Sequence, residues 1–555
     1  MKRGITSIMT AALMLIACNA SAATFFFSEK GAGDSDGSSW ENAAPAEYLG
    51  SSVENATAGD VFYLMAGKYK PDVNSGLWKI AQGITIKGGY PSTMKGTDVN
   101  IKYPVAALSI FSADLDGDGV GDNGTNVFIT IDNSTGTKET ALKTIISGIE
   151  IRDALNKSTA TYKGSAMVIY NGNVELDHVK ITNNVTGYKD ASNALVGAGG
   201  VISVCGSYFY AHDCVWENNQ STRAGSALIV REAGGASGTG ATTDKDISIV
   251  KLDRCEFSDN PMIDPANTKA TYGGTIAVGD YCGTMYMNNC TATGTHIYQA
   301  GAFCRMGTGT TLYSTNNTWY DCTCCATNRF NGSILSCGQY SKTYIANTIA
   351  VNKVDGYDGS FATMFIQSNN CVFETGGYNV WGSLSNATTT ALLANDNVAN
   401  TNTVSVVFGE NVIASNGGNG TKVIAPSESY RGMSVSSLKE LATKWSLPAE
   451  IDVTLDQRGF VRPENTISGA YDVQAVDPTT GVEQILDKAQ NIKIINLGNA
   501  NYQIIGAAGN ATIYDLTGKS IMSRNIEDGD IINMNDIISG IYIIKVNNQA
   551  IKFIK

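Results

Sequence analysis

The 555-residue chain is poor in histidine, proline and charge. It has 3 histidines and 10 prolines, and only 16% of its residues are charged. So few histidines argue against a His-rich metal centre and against a histidine-based catalytic triad. The net charge of -12 and the pI near 4.9 lack the basic footprint of nucleic-acid binding. Beyond the N-terminal leader, the sequence has no apolar run long enough to cross a bilayer.

Glycine and apolar residues are abundant instead. The 59 glycines and the 43% hydrophobic content favour a large β protein with many tight turns. The first residues predict export, because Lys2 and Arg3 precede a short apolar segment at 5–17 and the small residues 20–22 supply a cleavage site. We therefore assign residues 1–22 to a signal peptide. The alternative is a lipoprotein anchored through Cys18, because residues 15–18 resemble the lipoprotein processing box.

A repeat occupies the middle of the chain. Seven segments align without gaps, with starts 27 to 41 residues apart. Most of them follow a second element that opens on Gly and a small residue, such as GSALIVR at Gly225. The seven segments begin at Thr144, Val174, Phe209, Val250, Met285, Leu312 and Thr343. A period of this length indicates a stacked repeat architecture.

The columns of the repeat describe strands joined by a bend. The first and third positions are mostly apolar and the second and fourth mostly polar or Tyr, which is the period of a strand with one buried face. Buried character resumes at the sixth and eighth positions, so the chain must turn between them. Asn289, Asn316 and Asn347 occupy the fifth position and suit a left-handed bend. These features predict coils of a parallel β-helix, in which stacked neighbours bury the apolar face.

Cysteines follow the same repeat. Cys214, Cys255 and Cys290 share the sixth column in successive coils, which predicts a ladder of small buried thiols. A disulfide within the ladder is the alternative. The cluster of Cys322, Cys324 and Cys325 is a better candidate for a disulfide.

The N-terminal and closing segments carry a family resemblance. Phe25–Ala43, Gly59–Tyr69, Ile84–Asp98 and Leu455–Asp472 resemble exported right-handed parallel β-helix proteins of Bacteroidetes-type bacteria, which have the pectin-lyase-like fold. The resemblance implies an all-β protein whose β-helix and closing segment cover residues 23–477. It implies no particular chemistry, because function resides in sites that vary on a shared fold.

The C-terminal tail resembles a second family. Ala511–Ile521, Ile538–Val546 and the last strand, with Lys552 and Lys555, are similar to the sorting domain of the type IX secretion system. Residues 478–555 should therefore form a small β-sandwich that follows the β-helix. The resemblance implies contact with the type IX secretion machinery, passage across the outer membrane and display at the cell surface. A generic small β domain is the alternative.

One acidic loop is a candidate metal site. Asp114, Asp116, Asp118 and Asp122 alternate with glycines, and several carboxylates in such a loop can bind one Ca²⁺ ion. The loop is not an EF-hand, because Thr125 replaces the required Glu and no helices flank it. A solvated acidic turn between coils is the alternative.

Two columns of the repeat are candidate ligand or catalytic sites. The second column places Tyr210, Tyr286, Tyr313 and Tyr344 on one outer face, where stacked rings could bind sugars or simply stiffen the sheet. Among the scattered polar residues of the repeat, the fourth column brings Asp177, His212 and Asp253 into a carboxylate–histidine–carboxylate row, which is a candidate for catalysis. The leading hypothesis is a secreted surface protein that binds a glycan or another surface macromolecule. The alternative is a polysaccharide-active enzyme, a lyase before a glycoside hydrolase, and a purely structural surface component is the third.

Overall fold

The fold is known from a computed structural model. It describes residues 22–555 except 73–75, 160–162, 193, 198, 234–246, 265–272, 298–300, 325–333, 352–363, 367–369, 383–391, 399–407, 409–413, 416–418, 428, 479–492, 499, 516–517, 539, 548 and 555. The predicted signal segment therefore lies outside the described residues, except for Ala22. Cys18 and Cys325 also lie outside them. The chain divides into two compact units between Ala475 and Val476.

The larger unit is a parallel β-helix. Each coil contributes one strand to each of three long sheets, as in the coil of Met167–Tyr170, Asn173–Asp177 and Lys180–Thr182. Within the described residues these sheets, which we number 1 to 3, have 12, 11 and 9 strands, and their strands are parallel. The predicted all-β class with a parallel β-helix is confirmed.

The strands of sheet 1, in spatial order, are Ala44–Pro45, Thr24–Ser28, Val61–Met65, Thr85–Tyr90, Lys143–Ser147, Asn173–Asp177, Tyr208–His212, Ser248–Asp253, Gly283–Asn288, Thr311–Thr315, Lys342–Ala346 and Val372–Gly377. Those of sheet 2 are Gly67–Tyr69, Ser109–Ser112, Ile149–Arg152, Lys180–Thr182, Val215–Glu217, Glu256–Ser258, Thr291–Thr293, Thr318–Tyr320, Ile349–Val351, Val380–Trp381 and Asn397–Val398. Those of sheet 3 are Trp78–Lys79, Ile129–Asp132, Met167–Tyr170, Ile202–Cys205, Leu228–Arg231, Ile276–Val278, Cys304–Met306, Leu335–Cys337 and Met364–Ile366.

Short strands complete the β-helix. Three form a small parallel sheet, and the rest form two-stranded ribbons: Leu155–Asn156, Val185–Thr186 and Gln220–Ser221; Tyr188–Lys189 with Leu195–Val196; His296–Ile297 with Thr323–Cys324; Ala414–Ser415 with Lys422–Val423. A 3-10 turn (Ala46–Tyr48) and helix α1 (Leu49–Glu54) lie near the N-terminal end.

The core consists of columns of like side chains. Alternate residues of sheet 1 point inward, so Val174, Phe209 and Val250 stack in register on successive coils and are fully buried. In sheet 2, the rings of Trp216 and Phe257 stack with centroids 4.7 Å apart and planes 12° apart. Such contacts repeat from coil to coil because no single coil can bury its own apolar face.

Six successive bends that follow strands of sheet 1 each have a left-handed residue. Asn289, Asn316 and Asn347 have φ angles of 53°, 55° and 52°, as the repeat predicted. Asn tolerates this region better than most residues. In the three preceding coils His178, Asp213 and Arg254 hold the same conformation, with φ of 51°, 56° and 52°. These three residues are therefore fixed in position by the stack of bends.

The cysteine ladder lies inside the coil. Cys214, Cys255 and Cys290 are fully buried, free thiols, and the Sγ atoms of Cys214 and Cys255 contact backbone carbonyl oxygens of the coil. Burial raises the pKa of the Cys214 and Cys290 thiols. Full burial makes all three residues core elements rather than reactive groups.

The end of the larger unit folds back over the bends. Residues 419–472, which we call the strap, include helix α2 (Val435–Lys444). The helix begins where the Ser434 side chain accepts a hydrogen bond from the Ser437 N–H at 3.1 Å, which satisfies one free donor of the first turn. Leu438, Leu441 and Trp445 share its buried face at helical spacing.

Arg462 joins the strap to the bends. Its fully buried guanidinium donates to the Asn289 Oδ1 at 3.1 Å and to the carbonyl oxygens of Gly469 and Ala470 at 2.8 and 3.1 Å. The Asp472 carboxylate, also fully buried, lies 3.6 Å away. A buried charge needs this many partners, because its desolvation is costly.

The smaller unit is a two-sheet antiparallel domain. One sheet comprises Lys493–Gly498, Asn501–Ile505 and Ile531–Asn533, and the other Ser520–Ile526, Gly509–Asp515, Ile541–Val546 and Gln549–Ile554. Tyr502, Ile504 and Ile532 of the first sheet share one buried cluster with Ile513 and Ile544 of the second. The unit is the small C-terminal β-sandwich that the sequence predicted, and the chain ends in the expected antiparallel hairpin.

Candidate functional site

The outer face of sheet 1 carries one continuous column of side chains. The strand pairing places Glu175, Tyr210, Lys251, Tyr286, Tyr313, Tyr344 and Glu374 opposite one another on successive coils. The predicted register of the four tyrosines is therefore present. The two ends of the column differ in the residues of the strap that pack against them.

Over the C-terminal half of the column, the strap covers a tyrosine stack, formed by Tyr286, Tyr313 and Tyr344. Their ring centroids are 5.0 and 4.7 Å apart, and the planes differ by 6° and 8°. Trp445 of the strap lies 6.4 Å from the Tyr313 ring and 5.7 Å from the Tyr344 ring. Leu438 and Leu441 belong to the same apolar cluster. The stack is therefore a packing surface for helix α2.

Two ion pairs mark the limits of this cover. Lys444 Nζ lies 2.6 Å from Glu374 Oε1 at one end, and Lys251 Nζ lies 2.7 Å from Glu450 Oε1 at the other. The Tyr210 hydroxyl donates to the Glu450 carbonyl oxygen at 3.2 Å. Tyr210 thus stands at the edge of the strap.

Beyond this edge, two neighbouring strands present a half-exposed surface. One strand contributes polar side chains and the other aromatic side chains, paired in register. We call the set the polar–aromatic patch: Asn173, Glu175 and Asp177 opposite Tyr208, Tyr210 and His212. Carboxylates and an amide therefore lie directly beside three rings.

At the bend, the patch continues into a corner cluster of Asp177, His178, His212 and Asp213. His178 Nδ1 lies 2.5 Å from Asp177 Oδ1. His212 Nδ1 lies 2.8 Å from Asp213 Oδ2 and 3.5 Å from Asp177 Oδ1. Both imidazole rings are thus held by carboxylates. The ring of Tyr103 stacks on His178 with centroids 5.0 Å apart.

The Asp213 carboxylate is held by hydrogen bonds from two neighbouring side chains. Arg254 donates to both its oxygens, with two contacts of 2.8 Å. The Asn419 side-chain amide, from the strap, donates to Asp213 Oδ1 at 2.6 Å. Arg254 also contacts Asp253, which is fully buried and accepts a hydrogen bond from Asn288 at 2.8 Å.

The local electrostatics attract positive charge to the corner. Burial alone would lower the pKa of His212, but hydrogen bonds to Asp213 and Glu175 outweigh it and raise this pKa to about 10. The hydrogen bond with His212, aided by Lys143, lowers the pKa of Glu175 to about 2. Burial raises the pKa of Asp253 to about 7.

The predicted catalytic row is present but unevenly exposed. Asp177, His212 and Asp253 are neighbours in register, as the fourth column implied. The side chains of Asp177 and His212 are 25% and 17% exposed, whereas that of Asp253 is 0% exposed. Asp253 therefore cannot touch a ligand in this arrangement.

The acidic loop forms a smaller cluster than predicted. Asp114, Asp116 and Asp122 bring carboxylate oxygens within 4.8 Å of one another, and Asp118 is not part of this group. Asp114 accepts from the backbone N–H of Gly117 at 2.6 Å, which closes the turn. Ca²⁺ binding at the loop stays a prediction.

Sequence reasoning missed four residues of this site, which are Asn173, Tyr208, Tyr103 and Asn419. Tyr208 lies two positions before Tyr210 on the same strand, so the period of two could have identified it. Tyr103 and Asn419 come from segments far away in sequence, and no local pattern signals their contacts.

Comparison with known proteins concerns the tail. Residues 489–555 match the family of the secretion system C-terminal sorting domain. The tail is a sorting domain. The prediction of a type IX sorting tail, and with it of export to the cell surface, is confirmed. No curated protein and no solved structure matches the chain.

The sorting domain says where the β-helix works. It implies contact with the secretion machinery. None of the described helices is long and apolar enough to cross a membrane. The pectin-lyase-like relationship and the signal peptide stay predictions.

Proposed function

We propose that this exported surface protein binds a glycan through the polar–aromatic patch. The observation that supports the proposal is the pairing of Asn173, Glu175 and Asp177 with Tyr208, Tyr210 and His212 across two adjacent strands. The patch lies beside the edge of the strap, and all six side chains are partly exposed.

The chemistry of the patch suits a sugar. Sugar hydroxyls donate to carboxylates and amides, and the C–H face of the ring packs on aromatic side chains. Binding sites typically combine apolar or aromatic surface with a few placed polar groups. Rigid strands also hold these groups in place, so little side-chain entropy is lost on binding.

The location of the site differs from the sequence-based hypothesis. Of the four tyrosines predicted to bind sugar, Tyr210 belongs to the patch. Tyr286, Tyr313 and Tyr344 pack against the apolar face of the strap. Their side chains are partly exposed, but their ring faces stack on one another, and Trp445 of the strap lies beside Tyr313 and Tyr344.

A polysaccharide-active enzyme is the second candidate, because the row of Asp177, His212 and Asp253 is present. A lyase needs a base within hydrogen-bond reach of the proton it removes, and a hydrolase needs two carboxylates that reach the substrate. Asp253 is fully buried beside Arg254 and Asn288. The geometry therefore favours binding over catalysis at this row.

A glycan array tests the proposal. The purified chain should bind a defined set of glycans, and Tyr208→Ala and Asp177→Asn should each abolish or strongly weaken that binding. The matched control is Tyr340→Ala, which removes an exposed tyrosine from a turn outside the patch. Glycan affinity equal to that of the parent in both patch variants would contradict the proposal. Release of unsaturated products that absorb in the near ultraviolet from uronate polymers would instead support the lyase.

A further inference from the structure

Two of the three histidines of the chain meet in the corner cluster. His178 and His212 belong to adjacent coils and each contacts Asp177 through Nδ1, at 2.5 and 3.5 Å. Asp213 Oδ2 lies 2.8 Å from His212 Nδ1. Donor atoms of Asp177, His178 and Asp213 therefore lie close together, and His212 Nδ1 stands beside both carboxylates.

We propose that the corner cluster binds a divalent metal ion of the zinc class. The ligands are the Nδ1 atoms of His178 and His212 and carboxylate oxygens of Asp177 and Asp213. Donor atoms of Asp177, His178 and Asp213 all lie within 4.8 Å of one another. Ligand bonds of about 2.0–2.1 Å to a tetrahedral ion place neighbouring donors roughly 3.3 Å apart. The three grouped donors must therefore move closer together, and His212 Nδ1, which is not part of that group, must turn toward them.

The donor set selects the kind of ion. Imidazole with carboxylate suits zinc and other first-row divalent metals, whereas calcium prefers oxygen donors alone. The acidic loop of Asp114, Asp116 and Asp122 has only oxygens. The described part of the chain thus presents two clusters of different chemistry, and the type of metal that each prefers distinguishes them.

The surroundings supply an outer shell. Metal-binding carboxylates are usually held by further hydrogen bonds that fix their orientation. Arg254 and Asn419 hold both oxygens of Asp213, and Tyr103 stacks on the His178 ring. The left-handed bend fixes the backbone of His178 and Asp213 at φ of 51° and 56°.

Charge also favours a cation. The carboxylates of Glu175, Asp177 and Asp213 face the corner, and the side-chain cations of Lys143 and Arg254 oppose them. When metal binds, each imidazole coordinates as the neutral form and any proton it carried leaves to solvent.

The test is a Zn²⁺ titration of the full chain, stripped with a chelator and purified with a tag that contains no histidine. Calorimetry should show one ion bound per chain, and Co²⁺ should give visible absorption bands. His178→Gln should weaken binding by more than about tenfold, a loss typical even of outer-shell changes. Asp177→Asn, a change of a half-exposed side chain, should do the same.

His296→Gln is the matched control, because it removes the third histidine, which lies in the strand His296–Ile297 outside the cluster. It should leave Zn²⁺ affinity unchanged, as should Asp116→Asn in the acidic loop. The proposal is overturned if the chain binds no stoichiometric Zn²⁺, if His178→Gln binds as tightly as the parent, or if His296→Gln weakens binding equally. Circular dichroism of each metal-free variant establishes that it is folded.

The metal proposal does not depend on the glycan proposal. Zn²⁺ affinity is measured with no sugar present, and the glycan array is read with and without chelator. Failure of one therefore leaves the other intact.

Discussion

The two halves of the outer column of sheet 1 share one register but have different surroundings. Both halves are partly exposed, but at Tyr286, Tyr313 and Tyr344 the rings stack on one another and pack against the apolar cluster of helix α2. At Glu175 and Tyr210 the column joins a polar surface instead. The repeat alone assigns both halves to the same outward column. What separates a packing surface from a candidate binding surface is the strap, which comes from residues 419–472.

The largest expected effect comes from loosening the strap. Arg462→Met leaves the buried Asp472 carboxylate without its cation, and loss of one partner of a buried ion pair costs about 3–5 kcal/mol. We expect the free energy of unfolding of the β-helix to fall by this amount. Urea denaturation followed by tryptophan fluorescence measures it, since Trp445 lies on the covered half.

The control for this change is Lys444→Met, which removes an exposed pair at the end of helix α2, with Lys444 at 64% exposure. Exposed ion pairs contribute about 0–1 kcal/mol. Equal losses in the two variants would show that Arg462 is not what holds the strap.

The next largest effect is expected from removing one tyrosine from each half of the outer face. Tyr313→Ala removes a ring stacked between two others, and we expect a loss of about 2 kcal/mol in unfolding free energy. Tyr208→Ala should cost less stability and reduce glycan affinity roughly fivefold or more, which corresponds to about 1 kcal/mol of binding free energy. Urea melts and glycan binding of both variants provide the check. If Tyr313→Ala weakened glycan binding and Tyr208→Ala lowered stability more, the tyrosine stack would be the binding surface and the patch the packing surface.

The repeat made much of this predictable. Alternation fixed which residues of each strand face inward, and alignment of the repeats placed Asp177, His212 and Asp253 on adjacent coils. The asparagines at the fifth position predicted the bends correctly. These features depend on contacts within one strand or between adjacent coils. The residues that make such contacts occupy the same position in each repeat, so an alignment of the repeats identifies them.

The cover on the tyrosines was not predictable in the same way. Ser434 as N-cap and the spacing of Leu438 and Leu441 signal helix α2, but nothing local says which surface it covers. Contacts such as Tyr210 with Glu450 and Asp213 with Asn419 join residues more than 200 positions apart. Sequence pattern therefore identified the candidate residues better than it identified their exposure.

The smallest expected effect is the pH dependence of the stability that Glu374 contributes. The hydrogen bonds from Lys444 and Trp445 hold the pKa of Glu374 below its ordinary value near 4.5. A carboxylate with a lowered folded pKa contributes stability above its unfolded pKa and loses it as the pH falls through the folded pKa. Glu374→Gln should therefore cost less than about 1 kcal/mol at pH 7. The difference from the parent should shrink as the pH falls from the ordinary carboxyl pKa through the lowered pKa of the folded state. Thermal melts across this pH range measure it; a difference that grows toward low pH would contradict the assignment.

The strap also changes what kind of object the β-helix is. A stack of repeats normally behaves as a one-dimensional array, in which each coil interacts only with its neighbours and can fray from an end. Here Lys422 forms an ion pair with Glu217, and Glu450 forms one with Lys251. The strap therefore contacts coils from the middle of the unit. Fraying of the C-terminal coils must break these distant contacts first. The strap thus gives the array a cooperativity that its repeats lack, and a nascent chain acquires it only when residues 419–472 have been made.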